Sequence, residues 1–190
     1  MMLATLAMSA QSPQQMLDKA VNAMKGAMSA RYTLKSAQGN ISGTFDINGS
    51  MFRMLSDQVK CWYNGTTQWT YSTATQEVNI NTPTQAELSM TNPMAAAQSF
   101  KTNFHIWKAA GQIPKHYAIM LKPKNKSDIK QIYLYISEGT NLLHNAHIKM
   151  NDGSAFTITL TDIKKSSYST NIFTFDPSLV PVGTDVVDLR

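Results

Sequence analysis

Four histidines, one cysteine and twelve carboxylates are the side chains of this 190-residue sequence best able to hold a metal or move a proton. His144 and His147 stand three apart, which on a helix would set both imidazoles on one face, as in a metal site. Their surroundings read instead as a turn entering a strand, where that spacing sends them to opposite faces. His105 and His116 flank a turn at 111–115 and can be neighbours across a hairpin, but no Cys or Asp stands at ligand spacing beside them. Cys61 is the only cysteine, so neither an intrachain disulfide nor a cysteine cage can form. It falls in an apolar strand pattern and reads as a small buried hydrophobe. Nucleophilic chemistry fares no better, because no G-x-S-x-G elbow sets a serine on a tight turn. Glu77, Glu87 and Glu138 are the only glutamates and fall on a strand, a short helix and a turn, which leaves no carboxylate pair for acid and base work. No G-x-G-x-x-G loop cradles a phosphate. These residues predict a protein that is not an enzyme and takes no cofactor and no metal.

The elements that position these side chains begin with a helix. Ser12 is a candidate N-cap, Pro13 suits the first turn, and Met16, Leu17, Ala20, Val21, Met24 and Ala27 recur at helical spacing. Between about residues 31 and 80 the pattern becomes short strands rich in Thr, aromatic and β-branched residues, divided at Gln38-Gly39-Asn40, Asn48-Gly49-Ser50, Ser56-Asp57 and Asn64-Gly65. Within this antiparallel meander Ile41, Gly43, Phe45 and Ile47 point one way. Val59, Cys61 and Tyr63 on a later strand, and Thr67, Trp69 and Tyr71 after that, read as presenting the same oily face. Thr82 with Pro83, then Asn92 with Pro93, are cap-and-proline signals for two short helices. Strands follow over about 104–110, 117–121, 131–136, 146–150 and 156–162, with a strong hairpin turn at Asn151-Asp152-Gly153. An extended piece at 172–175 and a final strand at 186–190 close the chain.

Helix, strands, two inserted helices and more strands predict an α+β fold: one large curved antiparallel β-sheet, a half-barrel, with helices covering its concave face. Such helices either leave an apolar cavity or fill the hollow as an ordinary core; pattern alone does not choose. Hydrophobic residues make up 43% of the chain and charged ones only 15%, so Ser, Thr, Asn and Gln do much of the solvating. The net charge is +5, but there are only three arginines, and the clustered Lys122, Lys124, Lys126 and Lys130 flank a turn. No interleaving of aromatic and basic residues suggests an RNA-binding sheet, so no nucleic-acid partner is expected. Residues 1–10 form an apolar run ending in small residues and read as the tail of a truncated signal peptide, cleaved near Ser9 or Ala10 and lacking its basic start. The remaining 11–190 are expected to form a single domain.

Two stretches carry a family likeness. Y-N-G-T-T-Q-W-T-Y-S at 63–72, running into E-V-N-I-N-T-P, resembles the D-G-x-x-x-W-x-Y hairpin of the LolA-type periplasmic outer-membrane lipoprotein carriers, with Asn64 in place of the aspartate. F-T-F-D-P at 173–177 and the V-V-D-L-R ending resemble that family's closing F-x-F-x-P and terminal strand. Gly43-Thr44-Phe45 with Phe52-Arg53 is similar to its G-x-F followed by an F-R strand. The chain departs from the pattern in the turn after that first strand, where Asn48-Gly49-Ser50 replaces the basic residue and proline associated with closing the lid.

The resemblance implies a soluble, monomeric periplasmic carrier. It would receive acylated lipoproteins from an inner-membrane exporter and pass them to an outer-membrane acceptor, their acyl chains held in an apolar cavity. Burying a chain of about 16 carbons is worth on the order of 10 kcal/mol before the costs of opening and ordering, so release requires a lid that closes at some cost. The twelve methionines suit an adaptable wall. Phe45, Ile47, Leu55, Trp69, Tyr71, Leu88, Met90, Met94 and Phe100 are the expected lining. The rival reading on the same fold is an envelope domain that senses a lipid or lipoprotein without transporting it.

Overall fold

The structure, a computed structural model, describes residues 11–110 and 113–190, the side chains of Met90 and Pro93 excepted. The expected leader at 1–10 lies outside the described residues. Helix α1 (Pro13–Ala23) starts where Ser12 and Gln15 cap each other reciprocally, side chain to backbone in both directions. It buries Met16, Leu17 and Ala20. Gly26, at a φ of +93° that a side chain would resist, reverses the chain into the sheet.

A first meander follows: β1 (Ala27–Ser36), β2 (Gly39–Asn48), β3 (Met51–Ser56), β4 (Val59–Tyr63), β5 (Gln68–Ser72) and β6 (Glu77–Asn81). Helices α2 (Gln85–Thr91) and α3 (Pro93–Asn103) lead to a second: β7 (Phe104–Ala109), β8 (His116–Pro123), β9 (Ile129–Ser137), β10 (Leu143–Met150) and β11 (Ala155–Lys165). The α2 start differs from the expected Thr82-Pro83. Thr84 is the cap, because Thr84 and Glu87 satisfy each other's backbone N–H groups in a T-x-x-E box, two orphan donors where the Thr-Pro pair offers one. The stretch expected to be extended at 172–175 opens as a 3-10 turn, Thr170–Phe173, followed by another at Pro177–Leu179 and by β12 (Asp185–Asp188).

All twelve strands join one sheet in the order β12-β6-β5-β4-β3-β2-β1-β11-β10-β9-β8-β7. The two meanders meet at an antiparallel seam between β1 and β11, running from Met28 opposite Lys165 to Ser36 opposite Phe156. Only β12 runs parallel to its neighbour, β6. The sheet curls into an open half-barrel with the helices against its concave face, the α+β architecture that the residue pattern predicts. On the outer face, the segment after β11 crosses the first meander as a strap. Phe175, Leu179 and Val180 cover Trp62, Tyr71 and Val78. The Tyr168 hydroxyl donates at 2.7 Å to Asp46, which is 3% exposed and also takes Arg53 at 2.8 and 3.0 Å. That Arg53 fork and phenol satisfy a carboxylate that would be costly to bury alone.

Curvature has a visible cost at Gly43. A Cβ there would lie 2.0 Å from the Leu55 carbonyl oxygen and 2.9 Å from the Tyr32 ring, so β2 approaches β3 more closely than any side chain permits. Gly43→Ala is expected to destabilise the fold by about 1–3 kcal/mol or more, read as a fall in the urea midpoint. An unchanged midpoint would show that the strands move apart at no cost.

Candidate functional site

The concave face carries two apolar clusters of different chemistry. Against α1, strands β7 to β10 present Phe104, Ile119, Leu121, Ile132, Leu134, Ile136 and Ile148, with Met16 and Leu17 from the helix. This is predominantly a branched aliphatic core of the kind that packs into one arrangement. Beneath α2 and α3, strands β1 to β4 present Met28, Tyr32, Phe45, Ile47, Phe52, Cys61 and Tyr63. Met54 on β3 adds to this floor, and Leu88 from α2, Met94 and Ala95 from α3, and Met24 at the end of α1 pack against it. Aromatic rings and sulfur dominate this second cluster. Phe45 stacks on Phe52 at 6.1 Å, and Phe52 meets Tyr63 at 5.6 Å. Burial pushes the Cys61 thiol up to about 11, so it packs as a protonated hydrophobe and not as a nucleophile.

Of the expected lining residues, Phe45, Ile47, Leu88 and Met94 come together here. Met90 lies in α2, with its side chain outside the described residues. Phe100 packs in the α1-side cluster, edge-on to Phe104 at 5.4 Å. Leu55, Trp69 and Tyr71 sit on the opposite face, in the cluster under the strap. The reason is register. Asn64 accepts from the N–H groups of Thr66 and Thr67, so the β4–β5 loop has four residues and Gln68 falls opposite Tyr63. Gln68 and Thr70 therefore share the concave face with Tyr63 and Cys61, and Trp69 and Tyr71 turn outward. By the same alternation the two-residue turn after β2 sets Phe52 opposite Ile47, bringing Phe52 and Met54 inward and Leu55 outward. Met28, Tyr32, Phe52 and Tyr63 thus join the cluster without having been singled out as lining. The even count of residues in the β2–β3 and β4–β5 loops was the available signal.

The floor of the cluster is buried, Phe52 to 0%, Ile47 to 2% and Cys61 to 3% exposure. Clefts of about 430 and 410 Å³ lie elsewhere, the first on the outer face and the second beside the start of α1. One buried polar side chain anchors the helices over the cluster. Asn92, 3% exposed at the α2–α3 junction, accepts from the N–H groups of Met94 and Ala95 and donates at 2.7 Å to the Ser50 carbonyl. That carbonyl belongs to the Asn48-Gly49-Ser50 turn, where the resemblance leads one to expect a basic residue and proline. The helix reaches the turn here, through a neutral amide.

The histidines do not build a centre. His116 meets His144 at 4.8 Å, His105 lies beside Trp107 on a different part of the sheet, and His147 bonds Thr157. Among the described residues no three His, Cys, Asp or Glu gather as metal ligands.

The fold is an open α+β half-barrel with helices over an apolar concave face. Residues 3–154 match the family described as outer membrane lipoprotein carrier protein LolA. The chain belongs to that family. The F-T-F-D-P stretch lies beyond the matched residues. Among solved structures, an uncharacterized conserved protein from Thermus thermophilus is similar over 94% of this chain and 99% of its own, at 11% identity and TM-score 0.67. The MucA/MucB complex of Pseudomonas aeruginosa is similar at TM-score 0.51 and 8% identity, over 90% of this chain and 62% of that one. Both likenesses are of fold. No curated protein matches the chain.

Two outcomes follow from the helix anchors. Asn92→Ala removes a cap and leaves the Ser50 carbonyl without its donor, and is expected to cost about 1–3 kcal/mol in a denaturant titration; a loss within error would mean the junction bears no load. Glu87 accepts from the Thr84 N–H at 2.7 Å and from its hydroxyl at 2.8 Å, the backbone bond foremost in holding its pKa below the ordinary carboxylate value. The box is therefore intact above that value and is lost as pH falls through the lowered one. The protection factor of the Thr84 amide, corrected for the intrinsic pH dependence of exchange, should fall on acidification and lose that dependence in Glu87→Gln; a pH-independent protection factor in the parent would contradict it.

Proposed function

We propose that this chain is a periplasmic carrier that holds the acyl chains of lipoproteins between the β1–β4 face and the α2–α3 lid. It takes its cargo from an inner-membrane exporter and yields it to an outer-membrane acceptor, working as a monomer after loss of an N-terminal leader. Family membership supports the cargo class. The segregation of side chains on the concave face supports the place: aliphatic residues sit under α1, and methionine and aromatic residues sit under the two short helices.

The physical consequences differ between the two clusters. Branched aliphatic side chains lose many contacts if parted, so the α1 side behaves as scaffold. Methionine has three freely rotating bonds and a polarizable sulfur, and reshapes around a ligand with little penalty. The lid rests on short helices of seven and eleven residues, too short to be stable alone, and lifting them costs the contacts of Leu88, Met94 and Ala95 with the floor, of Phe100 with Phe104, and the Asn92 bond. Acyl burial worth on the order of 10 kcal/mol is opposed by that opening cost, which leaves net binding weak enough for release. No helix among the described residues is long and apolar enough to cross a membrane, which suits a diffusing carrier.

A fluorescent acyl probe tests the assignment. Phe45→Asp on the floor and Met94→Glu on the lid are each expected to weaken probe binding about tenfold or more, a change of about 1.4 kcal/mol. Trp69→Gln, on the outer face, is expected to leave it unchanged. Undiminished binding by both charged variants with the fold intact would remove the site. Acyl binding with no lipoprotein co-purifying from an envelope fraction would favour a sensing domain over a carrier.

A further inference from the structure

The quarter of the chain that builds β7 to β10 has a charge of its own. Residues 101–150 contain eight of the chain's 17 Lys and Arg and only two of its 12 Asp and Glu, and those two, Asp128 and Glu138, stand in turns. The four strands themselves hold no carboxylate. Their concave side is the α1 cluster. On the opposite side, which the strap does not contact, His105, Trp107, Lys122 and Lys149 are exposed and Met120, Tyr133 and His147 half-buried, while Ala118 and Tyr135 further along are buried.

Strand register sets out what that outer face presents. One row runs Trp107, Met120, Tyr133, His147 and Thr157, each directly opposite the next. On one side of it His105 pairs with Lys122 and Gln131 with Lys149. Trp107 is 43% exposed. The Lys149 ammonium lies 5.9 Å from the centre of the Tyr133 ring, and the cleft of about 430 Å³ opens between Tyr133, His147 and Lys149. Desolvation, then the charge of Lys149, lowers the His147 pKa, so the lysines carry the positive charge at neutral pH.

We propose that this outer face of β7–β10 docks on an anionic lipid bilayer, Lys122 and Lys149 meeting headgroup phosphates while Trp107 and Tyr133 enter the interface. Indole and phenol rings with a polar handle settle where headgroups meet acyl chains, and lysine stems lie along apolar surface while their ammonium groups stay hydrated. Each lysine near an anionic leaflet strengthens binding about fivefold. Four strands at roughly 4.8 Å spacing make a face about 15 Å across, broader than one extended peptide covers. The selection of a bilayer as the anionic partner rests on the carrier reading, because a carrier must meet membranes at both ends of its path; the charge and the aromatic row do not depend on that reading. The docking face is the back of the sheet, so the lid side stays free while the protein is held.

Co-sedimentation of the full chain with vesicles tests this, using phosphatidylcholine alone and phosphatidylcholine with phosphatidylglycerol at about 7:3. The parent chain is expected to prefer the anionic vesicles and to lose that preference as salt shortens the Debye length. Lys122→Glu with Lys149→Glu is expected to lower binding about tenfold or more, and Trp107→Ala severalfold. Lys164→Glu with Lys165→Glu makes the same change in net charge elsewhere and is expected to do little. Equal loss from both lysine pairs, no preference for anionic vesicles, or capture of the chain by poly-glutamate without vesicle binding would each overturn the proposal. Acyl-probe binding of the same variants is read separately. Vesicle binding through Lys122 and Lys149 without acyl binding would leave this inference standing and the carrier reading fallen, and the reverse result would do the opposite.

Discussion

A curled sheet with an oily inner face must be covered, and most of this molecule follows from how that covering is supplied. The two meanders share one sheet through the β1–β11 seam, which leaves β6 and β7 near opposite ends of the strand order. The connection between them has to cross the hollow. It crosses as α2 and α3, so the same segment that links the halves also roofs the first of them. The second half is roofed by α1, which precedes the sheet and spans nothing. One cover is therefore independent of the sheet's connectivity and the other is part of it, and the side chains follow suit: branched aliphatics under the first, methionine and aromatic residues under the second.

The outer face repeats the asymmetry. Over the first meander the strap buries Trp62, Tyr71 and Val78 and is tied down through Tyr168 and Asp46. The Lys60 ammonium also donates to the Leu179 carbonyl. The first half is thus apolar on its concave side over β1 to β4 and on its outer side over β4 to β6, while Gln68, Thr70, Ser72, Glu77, Asn79 and Asn81 make the concave side of β5 and β6 polar. Over the second meander the back stays open, with threonine, lysine and aromatic side chains in its rows. A sheet of this length can thus hold a ligand-shaped interior in one place and a charged exterior in another, without either demand disturbing the other's register.

Much of this was legible in the residues. Ser12-Pro13 and Asn92-Pro93 marked two helix starts because capping chemistry is local, and Asn151-Asp152-Gly153 and Asn48-Gly49-Ser50 marked hairpins for the same reason. The inward set of β2, with Phe45 and Ile47, came from simple alternation. What was not legible depended on partners distant in sequence. Trp69 and Tyr71 are as apolar as Phe45, and nothing within their own strand says that the cover they need is Phe175 and Leu179, about a hundred residues on. Phe173 and Phe175 stood out in the family likeness, but their place on the back of the sheet rather than in its hollow is a tertiary fact. The meeting of His116 and His144 is another: they lie on strands separated by β9.

The seam also orders events in time. A chain made from its N-terminus can form β1 to β6, each strand beside its successor, long before β11 exists. Until residues 155–165 arrive, β1 shows a bare hydrogen-bonding edge, and the roofed cluster lacks Leu160 and Ile163 from its wall. The strap and β12 come later still. Translation therefore yields a half-sheet with one raw flank first, and the wall of the roofed compartment is complete only once β11 has been delivered.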